Sequence, residues 1–173
     1  MGRDKATLVL DGEAMAVRVA RALRRAGAAE VVAIGGDAGA LGALGLRVVP
    51  DDEPGAGPLP ATIAALRQAT SDIVVVLSCD LVAPSDRAIA SLVDELRSAA
   101  PDVLGVMPVV SGIHQCTHAA WRRTAVGALA EARASGVRSL RSAVADLTIR
   151  AVHGLDERAL ADADDPLDLP GAR

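Results

Sequence analysis

The sequence predicts a three-layer α/β/α domain on a mostly parallel sheet, and three observations carry that prediction. Short β-branched apolar runs alternate with helix-period segments along the 173 residues. The runs are continuously apolar, as suits strands covered on both faces. They are bounded by Gly, Pro or Asp, which puts turns where strands hand over to helices.

The elements follow in order. "AMAVRVARALRRAG" places Met15, Val19 and Leu23 on one helix face and stops at Gly27, a residue suited to the left-handed C′ position. "EVVAIGG" and "LRVVP" read as strands. "PATIAALRQAT" reads as a helix behind a proline-rich start, where proline is tolerated. "DIVVVLSCD" is the most apolar strand of the chain. "PSDRAIASLVDELRSA" offers Ser85 as N-cap and a stripe of Ile89, Leu92, Val93 and Leu96. "VLGVMPVV" and "LTIRAVH" are strands, and between them two helical segments, 124–135 and 139–147, are separated by Gly136. The acidic, proline-broken "ADADDPLDLPGAR" is expected to fray. With no internal repeat and no linker, residues 1–173 read as one domain.

Composition narrows the function. Apolar residues make up 51%, yet Phe and Tyr are absent and Trp121 is the sole aromatic. The core is therefore aliphatic, and the aromatic platforms that bind single-stranded nucleic acid are missing. A net charge of −4 without a basic run also argues against nucleic acid as partner. Cys79 and Cys116 have no CxxC spacing and read as reduced thiols. No segment is apolar and long enough for a membrane span, and no signal peptide is seen, so a cytoplasmic address is expected.

In open α/β sheets, ligands bind at the carboxyl ends of strands. Four stretches are candidates. In "VVPDDEPGAGPLPATIAAL" two carboxylates follow a strand and a glycine-proline loop leads into a helix. That is either a backbone cradle for a ligand or an ordinary turn. In "IVVVLSCDLVAPS", Asp80 ends the most apolar strand, where a carboxylate can hold Mg²⁺ together with ligand phosphates, or merely cap a turn. In "IHQCTHAAWRR", His114, Cys116 and His118 have a period of two, a superficial zinc half-site with no fourth ligand; polar pocket or edge residues are the plainer reading. Arg122 and Arg123 are either helix-start surface charges or contacts to an anionic acceptor. In "GRDKA", Lys5 alone reads as a surface charge, since neither a Walker A pattern nor GxGxxG accompanies it.

Taken in order, these fragments resemble the molybdenum cofactor guanylyltransferases and their nucleotidyltransferase relatives. "MGRDKATLVLDGEAM" is similar to the second half of that family's opening L-A-G-G-x-S-x-R-M-G-x-D-K-A loop and the L-x-L-x-G that follows. "VVPDDEPGAGPL" resembles D-x-x-P-G-x-G-P-L, "VVVLSCDLV" the C-D-M-P strand, and "HQCTHAAWRR" the Q-P-L-x-A-L-Y-R-R segment. "GVRSLRSAVADL" and "DADDPLDL" resemble the G-x-x-S-L-R helix and the N-V-N-T-P-E-D-L close. The motifs run collinearly over almost the whole chain. The resemblance implies a Rossmann-like nucleotide-diphospho-sugar transferase type fold, here without its first strand. The L-A-G-G-x-S-x-R half of the loop has no counterpart in the sequence. The expectation is that Met1 is an interior methionine and that the chain as it stands binds GTP with Mg²⁺ weakly.

The implied reaction transfers GMP from GTP to the phosphate of molybdopterin and releases pyrophosphate. Such chemistry needs phosphates held in line and their charge neutralised. On matching positions, Lys5 would neutralise triphosphate charge, Asp51 would contact guanine or ribose, and Gly55, Gly57 and Pro58 would shape backbone around the nucleotide. Asp80 would hold Mg²⁺. Gln115, Asp162 and Asp164 would face the acceptor side, the two aspartates standing where the family has asparagines. Pro60-Ala61 replaces a small-Gly pair, and "CDLV" replaces C-D-M-P. Partners implied are the small molecules GTP and molybdopterin, with transient contact to other cofactor-biosynthesis or molybdoenzyme proteins. Three alternatives stay open: an inactive homologue serving as a binding module, a cytidylyl- or sugar-phosphate nucleotidyltransferase, and, more distantly, a receiver-like signalling domain.

Overall fold

The structure is a computed structural model that describes residues 5–162. Within them the chain divides into two compact units, one of residues 5–50, 78–89 and 156–162, the other of residues 51–77 and 90–155.

The first unit begins with a single helical turn, Lys5–Thr7, and an antiparallel hairpin of β1 (Val9–Leu10) and β2 (Glu13–Ala14). Asp11 and Gly12 close the hairpin at φ 52° and 82°. Asp-Gly is the pair that tolerates two successive positive φ values in a two-residue turn. Helix α1 (Met15–Arg25) follows directly and buries Met15, Ala16, Val19, Ala20 and Ala22. Gly27 terminates it at φ 95°, as expected, while the Ala28 N–H donates to the Leu23 carbonyl at 3.1 Å. Strands β3 (Val32–Ile34) and β4 (Arg47–Val49) then pair in parallel, Val32 opposite Arg47.

Their connection carries a helix that the sequence pattern hides, α2 (Ala38–Ala43). Two glycines and three alanines blur its period, but Asp37 caps it by accepting from the Ala40 N–H at 2.9 Å. Leu41 and Leu46 pack there against Ala6, Ala16 and Ala20.

The second unit holds α3 (Pro58–Gln68), β5 (Ile73–Leu77) and most of α4 (Asp86–Ser98). After them come β6 (Gly105–Val110), β7 (Ile113–His114), β8 (His118–Arg122), α5 (Ala125–Ala134), α6 (Leu140–Ala143) and β9 (Ile149–Val152). Ser85 caps α4 as expected, its Oγ accepting from the Ala88 N–H at 3.3 Å. Strand β8 lies antiparallel between β5 and β6, and β9 runs parallel to β6. So β5, β6 and β9 share one direction, and β8 and β7 run against it. The sheet is thus mixed. The reason is local: β6, β7 and β8 follow one another through tight turns, one at Ser111-Gly112, with no crossover helix between them.

The pleat assigns the two faces. Ile73, Val75, Val106 and Ala120 pack with Leu92 and Leu96 of α4. Their neighbours Val74, Val76, Met107, Ala119 and Trp121 pack with α3, α5 and α6. Helices cover both faces, which is the three-layer arrangement the continuous apolar runs require. Among the described residues no helix is long and apolar enough to cross a membrane.

Candidate functional site

Asp80 stands in the turn just after β5, and the fold returns Lys5 to it across 75 residues. The Lys5 ammonium donates to Asp80 Oδ2 at 3.0 Å, and the Ser78 hydroxyl donates to Oδ1. The Asp80 side chain is 13% exposed and that of Lys5 28%. Burial pushes the Asp80 carboxyl upward, but the hydrogen bonds from Ser78 and Lys5 and the Lys5 charge outweigh it and hold the group below its ordinary value. Asp162 reaches the same strand end: it bridges to Leu81, and the Val82 N–H donates to the Ala161 carbonyl at 3.0 Å. Lys5, Asp80 and Asp162 are therefore gathered within one unit.

The remaining candidates belong to the second unit. Asp51 folds its loop onto itself, its Oδ1 accepting from the Glu53 N–H at 2.9 Å. Arg133 of α5 holds Glu53 in a two-pronged ion pair, Nε to Oε1 at 3.3 Å and Nη2 to Oε2, and this lowers the Glu53 pKa. Gly55 and Gly57 sit at φ 80° and 89°, and a Cβ at either would meet open space. With ψ at −170°, Gly57 lies in a region that only glycine adopts freely, and as N-cap it starts α3 at Pro58, the first helical residue. The backbone there is open to close approach. Gln115 turns its amide back onto its own hairpin, Nε2 donating to the Ile113 carbonyl at 3.1 Å. Asp164 and the tail beyond Asp162 lie outside the described residues.

The family pattern of the MobA-like NTP transferase domain matches residues 1–151. The chain belongs to that family. A molybdenum cofactor guanylyltransferase from Rhizobium meliloti is 46% identical over 68 residues, 39% of this chain and 31% of that protein. One from Burkholderia vietnamiensis is 33% identical over 173 residues, 94% of this chain and 83% of the relative. In the Rhizobium protein and two further curated relatives the chain spans only 31 to 39% of their length. Among solved structures, a Methanothermobacter nucleotidyl transferase superposes with a TM-score of 0.74 at 17% identity, covering 95% of this chain and 81% of that one. Molybdopterin-guanine dinucleotide biosynthesis protein A from Archaeoglobus fulgidus superposes with 0.69 at 20%, covering 88% and 76%. At these identities the likeness shows the fold, the Rossmann-like nucleotide-diphospho-sugar transferase type.

Within this MobA-like domain two expectations from the "IHQCTHAAWRR" stretch change. His114 ends β7, Cys116 lies in the turn and His118 begins β8, where the His118 N–H donates back to the Gln115 carbonyl. The period of two is broken by that turn, and among the described residues no three His, Cys, Asp or Glu side chains are grouped to hold a metal. Burial raises the Cys116 thiol pKa. Arg122 is not a free surface charge. Its Nε donates to the Val103 carbonyl at 2.9 Å and its Nη2 to the Leu96 and Ala99 carbonyls at 3.1 Å each. The guanidinium thus answers carbonyls at the C-terminal end of α4.

Sequence reasoning missed Ser78, Glu53 and Arg133. Ser78 lies only two residues before Asp80, close enough in sequence for its hydroxyl to have been considered as a partner. The Glu53–Arg133 pair spans 80 residues and left no local trace.

Proposed function

We propose that this MobA-like domain is a guanylyltransferase that moves GMP from GTP to the phosphate of molybdopterin. The observation that carries the reading is the Lys5–Asp80 pair at the end of β5, a cation and an ionised carboxylate braced by Ser78. Family membership and the names of the curated relatives support the same reading. In the reaction, an oxygen of the molybdopterin phosphate attacks the α-phosphorus of GTP. The new P–O bond forms as the bond to the oxygen bridging the β-phosphate breaks, and pyrophosphate departs with the electron pair.

The chain's residues act by position and charge. Lys5 donates to triphosphate oxygens, which replace Asp80 as its partner when nucleotide enters. Asp80 is the residue that would hold Mg²⁺: that ion takes one or two carboxylates and completes its shell with phosphates and water, and an ionised carboxylate beside a hydroxyl fits it. Bound there, Mg²⁺ would neutralise phosphate charge. Asp51 orients guanine or ribose, and Gly55, Gly57 and Pro58 present open backbone to the nucleotide. Gln115, Asp162 and Asp164 serve the acceptor side.

The test is turnover of the purified chain with molybdopterin, Mg²⁺ and either GTP or CTP, read as released pyrophosphate. GTP should be preferred, and Asp80→Asn should lower the rate by about 10²–10³-fold with its circular dichroism unchanged. Preference for CTP would reassign the substrate. An unaffected Asp80→Asn rate would remove Asp80 from the site, and absence of turnover with either nucleotide would leave a binding module.

A further inference from the structure

Helix α1 carries Arg18, Arg21 and Arg25 on one stripe, at i, i+3 and i+7. Together with Ala83, Pro84 and Asp86 they line a concave pocket of about 280 Å³. Three arginines share it with one wall carboxylate, and two of the three have a carboxylate of their own outside the lining, which leaves Arg25 to set its sign. Like charges at these spacings disfavour a helix unless something answers them.

Internal partners answer only part of that charge. Arg18 donates to the Leu10 carbonyl at 3.3 Å and the Val82 carbonyl at 3.1 Å, and approaches Asp11 at 3.6 Å. Arg21 pairs with Glu13 at 2.8 Å. Arg25 is exposed and has no ion pair among the described residues. The Arg18 Nε is buried and has no hydrogen-bond partner. A buried guanidinium N–H without an acceptor is costly, and an ion or a water is one of the partners that would answer it.

We propose that this pocket binds a small phosphate-class anion of about the size of diphosphate. Planar guanidinium forks match phosphate oxygens in pairs, and several converging forks select for multiple charge. The volume falls just below that of pockets for drug-sized ligands, roughly 300–1,000 Å³, which favours a mono- or diphosphate over a whole nucleotide. Arg18 also ties the site to the segment behind Asp80 through the Val82 carbonyl. The proposal does not depend on the guanylyltransferase reading.

Titration calorimetry at constant ionic strength tests it, with inorganic phosphate, diphosphate and citrate as probes. Diphosphate should bind at one site and more tightly than citrate. Arg25→Gln should weaken it by about tenfold, the loss of one charge-assisted contact. Arg24→Gln, which removes the same charge one residue off the pocket, should change it by less than about twofold. Lys5→Gln should leave the site in place. Loss of binding in Lys5→Gln with Arg25→Gln unaffected would assign the anion to the Lys5 site and overturn the proposal. Equal weakening by Arg24→Gln and Arg25→Gln would reduce it to diffuse charge. Citrate binding as tightly as diphosphate would overturn the phosphate assignment, and no measurable heat with any probe would overturn the pocket.

Discussion

Asp80 is pulled two ways, and which influence wins can be read in a pH series. Burial disfavours its charged form, while the Ser78 hydroxyl and the Lys5 ammonium favour it more strongly, so its folded pKa is lowered. A carboxylate depressed in the folded state adds stability above its unfolded pKa, about 3.9, and loses it as pH falls through the lower folded value. Urea denaturation from about pH 6 to about pH 2 should therefore show wild type more stable than Asp80→Asn at the upper end, with the gap closing toward the lower. Ser78→Ala should shift that closure to higher pH by removing one of the groups that lower the pKa. A gap of constant size across the range would mean that Asp80 carries no net stabilisation from its ionised form. Asp80 and Lys5 were both legible in the sequence, Asp80 from its place after an apolar strand and Lys5 through a motif resemblance. Their contact was not, because a hydrogen bond across 75 residues leaves no local pattern.

At the scale of elements, Arg122 links β8 to the end of α4. A pair of arginines at a strand end looks like surface charge in sequence because the partners of the first lie 19 to 26 residues upstream. Folding brings them together since β8 inserts between β5 and β6 and ends beside the 96–103 segment. Arg122→Met keeps the aliphatic stem and removes the donors, leaving the Val103, Leu96 and Ala99 carbonyls to find water. The expected cost is about 2 kcal/mol in chemical denaturation, a charge-assisted set of bonds discounted for partial exposure. Arg122→Lys should recover only part, because one ammonium cannot reach carbonyls on both sides as the planar fork does. Full stability in Arg122→Met would show that solvent already serves those carbonyls. The same locality explains the missed α2: its glycines and alanines carry little amphipathic contrast, and only its Asp37 cap was there to be read. By contrast α1 and α4 had apolar stripes and α3 a proline-rich start, and all three were read within a few residues.

For the whole molecule, the periodicity that reveals strands and helices says nothing about which strands pair. The alternation of apolar runs anticipated helices on both sheet faces, and the structure has them, but the antiparallel insertion of β8 depends on pairings between distant segments. Composition was more informative about the core. With Phe and Tyr absent, one ring anchors an otherwise aliphatic interior: Trp121 is fully buried among residues of α3, α5 and α6. Its cross-strand neighbour on β6 is Gly105, and a Cβ there would lie 2.9 Å from Trp121 Cε3 and 3.2 Å from Ile149 Cδ1. Glycine weakens a strand, so its presence at the first residue of β6, paired on both sides, is explained by the ring it accommodates. Gly105→Ala should therefore destabilise the chain by about 1–3 kcal/mol through overpacking, although alanine is the better strand residue. Thermal melts followed by Trp121 fluorescence and circular dichroism would measure it. In a Trp121→Leu background the added methyl has room, and the penalty should fall by at least half, a coupling that a double-mutant cycle isolates. An undiminished penalty in that background would place the strain on Ile149 or on the backbone. The single aromatic side chain would then no longer account for the glycine opposite it.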